Sequence, residues 1–125
     1  LDSLHSKARK EAVATECAAS LGGNAKFWAY LDRLIEITPS NDGLDLAELP
    51  RIAKYVGLDS EKFQACLDSG KFDALVEAQY QDGLSSGAEG TPYSVIIKDG
   101  EPIDTIEGAY PYSYVKESVE KALNN

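Results

Sequence analysis

One stretch of this 125-residue chain reads as β structure, and it is incomplete by itself. Tyr93 to Lys98 is a short run centred on β-branched residues, Asp99-Gly100 is a strong two-residue hairpin signal, and Pro102 to Glu107 is the returning strand. Val95, Ile96 and Ile97 are consecutive, so both faces of the first strand require burial, as in the middle of a sheet. Pro102 has no N–H to donate, which makes the second strand an edge. A two-stranded sheet is marginal in water, and a central strand needs a neighbour on its other flank. The sequence offers no third strand. The missing one is expected from a preceding part of a longer parent or from another chain.

The remaining periodicity is helical. Ser3 or Ser6 caps a first helix to about Leu21, with Ala8, Ala12, Val13, Cys17 and Leu21 at helical spacing, and Gly22-Gly23 ends it. Asn24 caps a second, whose Phe27, Trp28, Leu31, Leu34 and Ile35 make a broad apolar face before Pro39. Leu46, Leu49, Ala53 and Val56 mark a third helix, which tolerates Pro50 in its first turn and stops at Gly57. Asp59 or Ser60 opens a short fourth carrying Phe63, Cys66 and Leu67. After Gly70 comes a fifth, with Phe72, Leu75, Val76, Tyr80 and Leu84 along one side. Pro111 starts the last, with Val115, Val119, Ala122 and Leu123 on one face. The fold class is α+β, mostly helical.

Composition narrows the function classes. A net charge of −9, with 43% hydrophobic and 26% charged residues, describes one soluble globular domain or a piece of one. No apolar run approaches the roughly 20 residues that cross a bilayer, and no signal peptide is present. The basic residues are scattered, and the densest group, Lys7, Arg9 and Lys10, is diluted by acids, which argues against nucleic acid as a partner. The chain contains no methionine, so a processed product or a fragment of a longer parent is expected.

Five segments, taken together and in order, are informative: Glu16-Cys17-Ala18; Lys26-Phe27-Trp28-Ala29-Tyr30; Ile52-Ala53 followed by Gly57-Leu58-Asp59; Phe63-Gln64-Ala65-Cys66-Leu67; and Gly90-Thr91-Pro92 ahead of a hairpin and a helix. The chain resembles the DsbA-like thiol–disulfide oxidoreductases over essentially its whole length. The resemblance implies a helical insertion (residues 1–88) followed by the closing β-hairpin and helix (residues 89–125) of an incomplete thioredoxin-like fold, with a cis bond at Thr91-Pro92. It implies an extracytoplasmic location, in the periplasm or cell envelope. A cysteine-containing polypeptide as substrate and a redox partner protein follow from it, without a cofactor.

The family's Cys-x-x-Cys should lie upstream of everything present here. Its chemistry needs a thiolate at a helix N-terminus with a second thiol one turn away, and neither Cys17 nor Cys66 belongs to such a pair. No catalytic residue is therefore expected in this chain, and the strand lost with that region would be the one that flanks Tyr93 to Ile97. The resulting function is the C-terminal portion of a disulfide oxidoreductase, contributing the helical cap and a peptide-binding loop. The alternative is a non-catalytic thioredoxin-like module that binds a peptide or protein. An open strand is a template for pairing, so a homodimer or strand-swapped assembly through Tyr93 to Ile97 is expected of the isolated chain.

Cys17 and Cys66 are either a structural disulfide, closing about 50 residues, or two free, buried thiols acting as small hydrophobes. An extracytoplasmic location favours the disulfide. By the same resemblance Gly90, Thr91, Pro92 and Tyr93 form the substrate-binding loop, offering backbone to an extended client; the plainer account of Pro92 is an ordinary loop-to-strand proline. Thr38 to Glu48, with Asn41, Asp42, Gly43 and Asp45, fails as a calcium loop because Thr38 and Leu49 fall where ligands are needed. No metal site is expected. His5 reads as a surface residue, Gly87-Ala88-Glu89-Gly90 is too short and acidic to cradle phosphate, and Tyr110, Tyr112 and Tyr114 cover a helix end or form a sticky patch.

Overall fold

The computed structural model of the chain describes residues 5–40 and 42–124. Those up to Tyr80 form one compact unit and those from Gln81 onward a second. In the first, α1 (Ala8–Ile37) is followed by a 3-10 turn (Leu46–Glu48), α2 (Leu49–Tyr55), α3 (Ser60–Ser69) and α4 (Asp73–Ser85), the division between the units falling within α4. Among the described residues no helix is long and apolar enough to cross a membrane.

The two helices expected on either side of Gly22-Gly23 are nearly continuous. Only Gly23, at φ 74° and ψ −172°, leaves the helical region, so the glycine pair kinks α1 without opening a loop. Gly22 is there for space: a methyl on it would stand 2.2 Å from Cγ of Lys26. The Lys26 ammonium donates to the Val56 carbonyl at the end of α2, which helps satisfy a carbonyl left over at a helix C-terminus.

Local caps set the other boundaries. The Asp45 carboxylate accepts from Ala47 N–H (2.9 Å) at the 3-10 turn, and Pro50 sits in the first turn of α2, where no N–H is required. Asp59 caps α3 by accepting from the Glu61 and Lys62 amides, both at 3.0 Å, and Gly70 ends it in the left-handed conformation (φ 65°). The start of α1 differs from expectation. Ser3 lies outside the described residues, and Ser6 does not cap the helix. Asp42, from the loop after α1, accepts from the Lys7 amide (3.0 Å) and the Ser6 hydroxyl (2.9 Å).

The core joins Val13, Ala14, Cys17 and Ala18 to Tyr30, Leu34, Leu44, Leu49, Ile52, Ala53, Phe63, Leu67 and Val76. Tyr30 and Phe63 are fully buried, their rings stacked with centroids 5.2 Å apart, and the Tyr30 hydroxyl donates to the Leu49 carbonyl (3.0 Å). Of the expected apolar face, Leu34 is buried and Phe27 and Leu31 are half-buried, while Trp28 and Ile35 turn out. Trp28 is 54% and Ile35 66% exposed, because both lie roughly 140–160° around the helix from Tyr30. Along α4 only Val76 is buried; Phe72 and Tyr80 are half-buried, while Leu75 and Leu84 are exposed.

The second unit holds β1 (Tyr93–Lys98), β2 (Glu101–Glu107) and α5 (Tyr112–Asn124). The strands pair antiparallel from Tyr93 opposite Glu107 to Lys98 opposite Glu101, with Ile103 bulged out between the partners of Ile96 and Ile97. Asp99 (φ 54°) and Gly100 (φ 87°) both adopt positive φ, as a two-residue hairpin turn demands. One face of the sheet packs on α5: Ile106 and Ala122 are buried, and Lys98 Nζ donates to the Ala122 (3.1 Å) and Leu123 (3.4 Å) carbonyls at the helix end. On the strand pair Val95, Ile97 and Ile103 remain 39%, 65% and 44% exposed. Among the described residues the sheet has these two strands alone, so β1 pairs on one edge only. Val119 and Leu123, expected on the buried face of α5, are exposed as well.

Candidate functional site

The segment between Gly87 and β1 is pinned at several points. The Thr91–Pro92 peptide is cis, and the Pro92 carbonyl accepts from the Gly108 amide (2.9 Å) just past β2. The Tyr93 hydroxyl donates to the Ser86 carbonyl (2.9 Å) and lies so close over Gly87 that a methyl there would stand 3.2 Å from it. Gly87 also has φ 91°, a conformation glycine adopts without strain. Glu89, Gly90, Thr91, Pro92, Tyr93, Glu107 and Gly108 thereby line a crevice of about 200 Å³. Gly90, Thr91 and Pro92 are exposed and Tyr93 is half-buried. The crevice borders the first residue of β1 and the last residue of β2.

Cys17 and Cys66 form a disulfide that ties α1 to α3, with Cα atoms 5.9 Å apart. They are the sequence's two cysteines, so the oxidised chain offers no thiol. Other sequence candidates are accounted for locally. The carboxylates of Asp42 and Asp45 are spent on backbone amides, and Asn41 lies outside the described residues. His5 is half-buried rather than open to solvent. Tyr110 and Tyr114 stack with centroids 4.3 Å apart, and Tyr112 is 80% exposed. A larger open groove of about 830 Å³, between α1, α3 and the start of α4, is bordered by Lys10, Asp68 and Asp73 and crossed by the Arg9–Glu77 ion pair.

Glu11 gave no signal in the sequence. One of its carboxylate oxygens, Oε1, is buried with no hydrogen-bond partner among the described residues. Lys7, one turn earlier, is the obvious ion-pair partner, but its ammonium donates instead to the Asp42 (2.9 Å) and Leu44 (2.7 Å) carbonyls. Desolvation first, and then the Asp42 charge, raise the Glu11 pKa against the opposing pull of Lys7 and His5. Desolvation and the Glu11 charge likewise raise the Tyr30 phenol. Partial desolvation of Asp42 is outweighed by the Lys7 amide, the Ser6 hydroxyl and the Lys7 and His5 charges, so its carboxyl titrates below the usual range.

These shifts have opposite consequences. The folded state binds Glu11's proton more tightly than the unfolded chain, so this group's contribution declines as pH rises through and above the ordinary glutamate range. Asp42's contribution is present above the ordinary aspartate range and is lost on acidification. Glu11→Gln should therefore raise the melting temperature relative to wild type more at about pH 7 than at about pH 3, below the ordinary glutamate range. Thermal melts across that range check this; a difference that does not vary with pH would contradict it.

A mostly helical α+β chain whose hairpin is preceded by an X-Pro crevice and followed by a packed helix has the make-up of a thioredoxin-class protein. The family model for the DSBA-like thioredoxin domain matches residues 7–120, and the chain belongs to that family. Comparison with curated proteins and with solved structures found no match.

Proposed function

We propose that this chain is the cap-and-loop portion of a DsbA-like protein disulfide oxidoreductase of the cell envelope. Residues 1–88 act as the helical insertion and residues 89–125 close the thioredoxin-like part. The reactive dithiol comes from outside the 125 residues, and this chain holds an extended client segment so that its cysteine meets that dithiol. The supporting observation is the crevice at exposed Gly90, Thr91 and Pro92 and half-buried Tyr93, immediately ahead of a strand that pairs on one edge only among the described residues, in a member of this family. Main-chain pairing there supplies affinity with little demand on client sequence. The Cys17–Cys66 bond suits an oxidising compartment.

Titrating the isotope-labelled chain with an extended peptide carrying serine in place of cysteine tests the loop. Amide shifts and slowed hydrogen exchange should concentrate between Gly90 and Ile97. Perturbation elsewhere, or none at saturating peptide, would remove the reading.

The same open edge is proposed to pair with a second copy when the chain is alone. Sedimentation equilibrium should show a dimer that the peptide dissociates; a strictly monomeric, well-folded particle counts against it. One observation favours a second reading: both cysteines are locked in a structural bond, which equally suits a non-catalytic module that binds a peptide or a partner protein through this edge. Dithiol oxidation by the longer gene product separates the two.

A further inference from the structure

We propose, building on the loop reading above, that the crevice selects client segments carrying lysine or arginine beside the cysteine. Two independent features on its border favour the same chemistry. Glu89 and Glu107 are both exposed and both line the crevice, one ahead of the X-Pro bond and one at the end of the returning strand, and no basic residue among the described residues lines it. Their carboxylates accept charge-assisted hydrogen bonds from ammonium or guanidinium groups.

Aromatic faces stand next to them. Gly108 lines the crevice and bonds to Pro92, and a methyl on Gly108 would lie 3.8 Å from Cε2 of Tyr110. Tyr110 stacks on Tyr114 and both rings are nearly half exposed, which suits the stem of a long basic side chain and its charge over a ring. An apolar client would meet the tyrosines but leave the carboxylates unanswered, and an acidic one would be repelled. The net charge of −9 extends that bias to longer range by steering cationic segments toward the chain.

The test compares three extended peptides of one sequence, each with serine replacing cysteine and with lysine, glutamine or glutamate at the flanking positions. Affinity is read from amide shifts of the labelled chain. At low salt the lysine peptide should bind about tenfold or more tighter than the glutamate peptide, and the gap should shrink as the Debye length falls toward about 8 Å at physiological ionic strength. Glu89→Gln with Glu107→Gln should close most of the gap between the lysine and glutamate peptides. Equal affinities, or a gap undiminished by the double substitution, overturn the charge selection while leaving peptide binding intact. If none of the three binds, the loop reading fails and the selection fails with it.

Discussion

Replacing both Cys17 and Cys66 with alanine lowers the stability of the helical unit by about 4 kcal/mol, the chain-entropy value for a loop of roughly 50 residues. The bond spans 49 positions and joins α1 to α3, two elements of one core, so its loss frees the unfolded chain far more than it alters the folded packing. Cys17 is fully buried beside Val13, Ala14 and Ala18, and alanine preserves that apolar setting. Far-UV circular dichroism melts should show a fall of about 15 °C or more, at some 4–8 °C per kcal/mol for a domain of this size. Reducing the wild type should reproduce most of it. An unchanged melting temperature would mean that the bond constrains nothing the core does not already fix.

Phe63→Ala should cost a similar amount, about 3–5 kcal/mol for a buried phenylalanine truncated in a packed core. Phe63 has no exposed surface, and its ring supports Tyr30, the other large side chain at the centre of the unit. Tyr30→Phe should cost only about 1 kcal/mol, since it removes the hydroxyl bond to Leu49 and keeps the ring. Urea titrations of the two variants give the ordering directly, provided their m-values match wild type. A Tyr30→Phe loss as large as that of Phe63→Ala would relocate the critical interaction from ring packing to the buried hydrogen bond.

What the sequence made legible is what neighbouring residues decide. Asp99-Gly100 requires its turn because both residues must take positive φ, and Asp59, Pro50 and Gly70 mark helix ends through contacts within a few positions. The features that escaped it depend on distant partners. Asp42 caps α1 from 35 positions away. The choice of Tyr30 over Trp28 for the core follows from where Phe63 and Leu49 arrive, since either side of that helix offered apolar surface. Glu11 looks like any helical glutamate until Lys7 is seen to spend its ammonium on loop carbonyls. At the site, Gly90 to Tyr93 stood out as a segment. Glu107 and Gly108 did not, because they reach the crevice only through strand pairing and the Gly108–Pro92 bond.

The consecutive Val95, Ile96 and Ile97 form a case between these two. Their pattern asks for burial on both faces, and the structure leaves Val95 and Ile97 exposed. Under the proposed function, a neighbouring strand from outside residues 1–125 would account for the pattern and would come with the reactive dithiol. The most direct measurement is therefore catalysed oxidation of a reduced, cysteine-containing protein by the complete product of the gene that encodes this chain, run beside residues 1–125 alone. The account predicts turnover by the complete product, through a Cys-x-x-Cys preceding residue 1, and none by the shorter chain. A complete product that lacks such a pair, or carries it without turnover, would contradict the account.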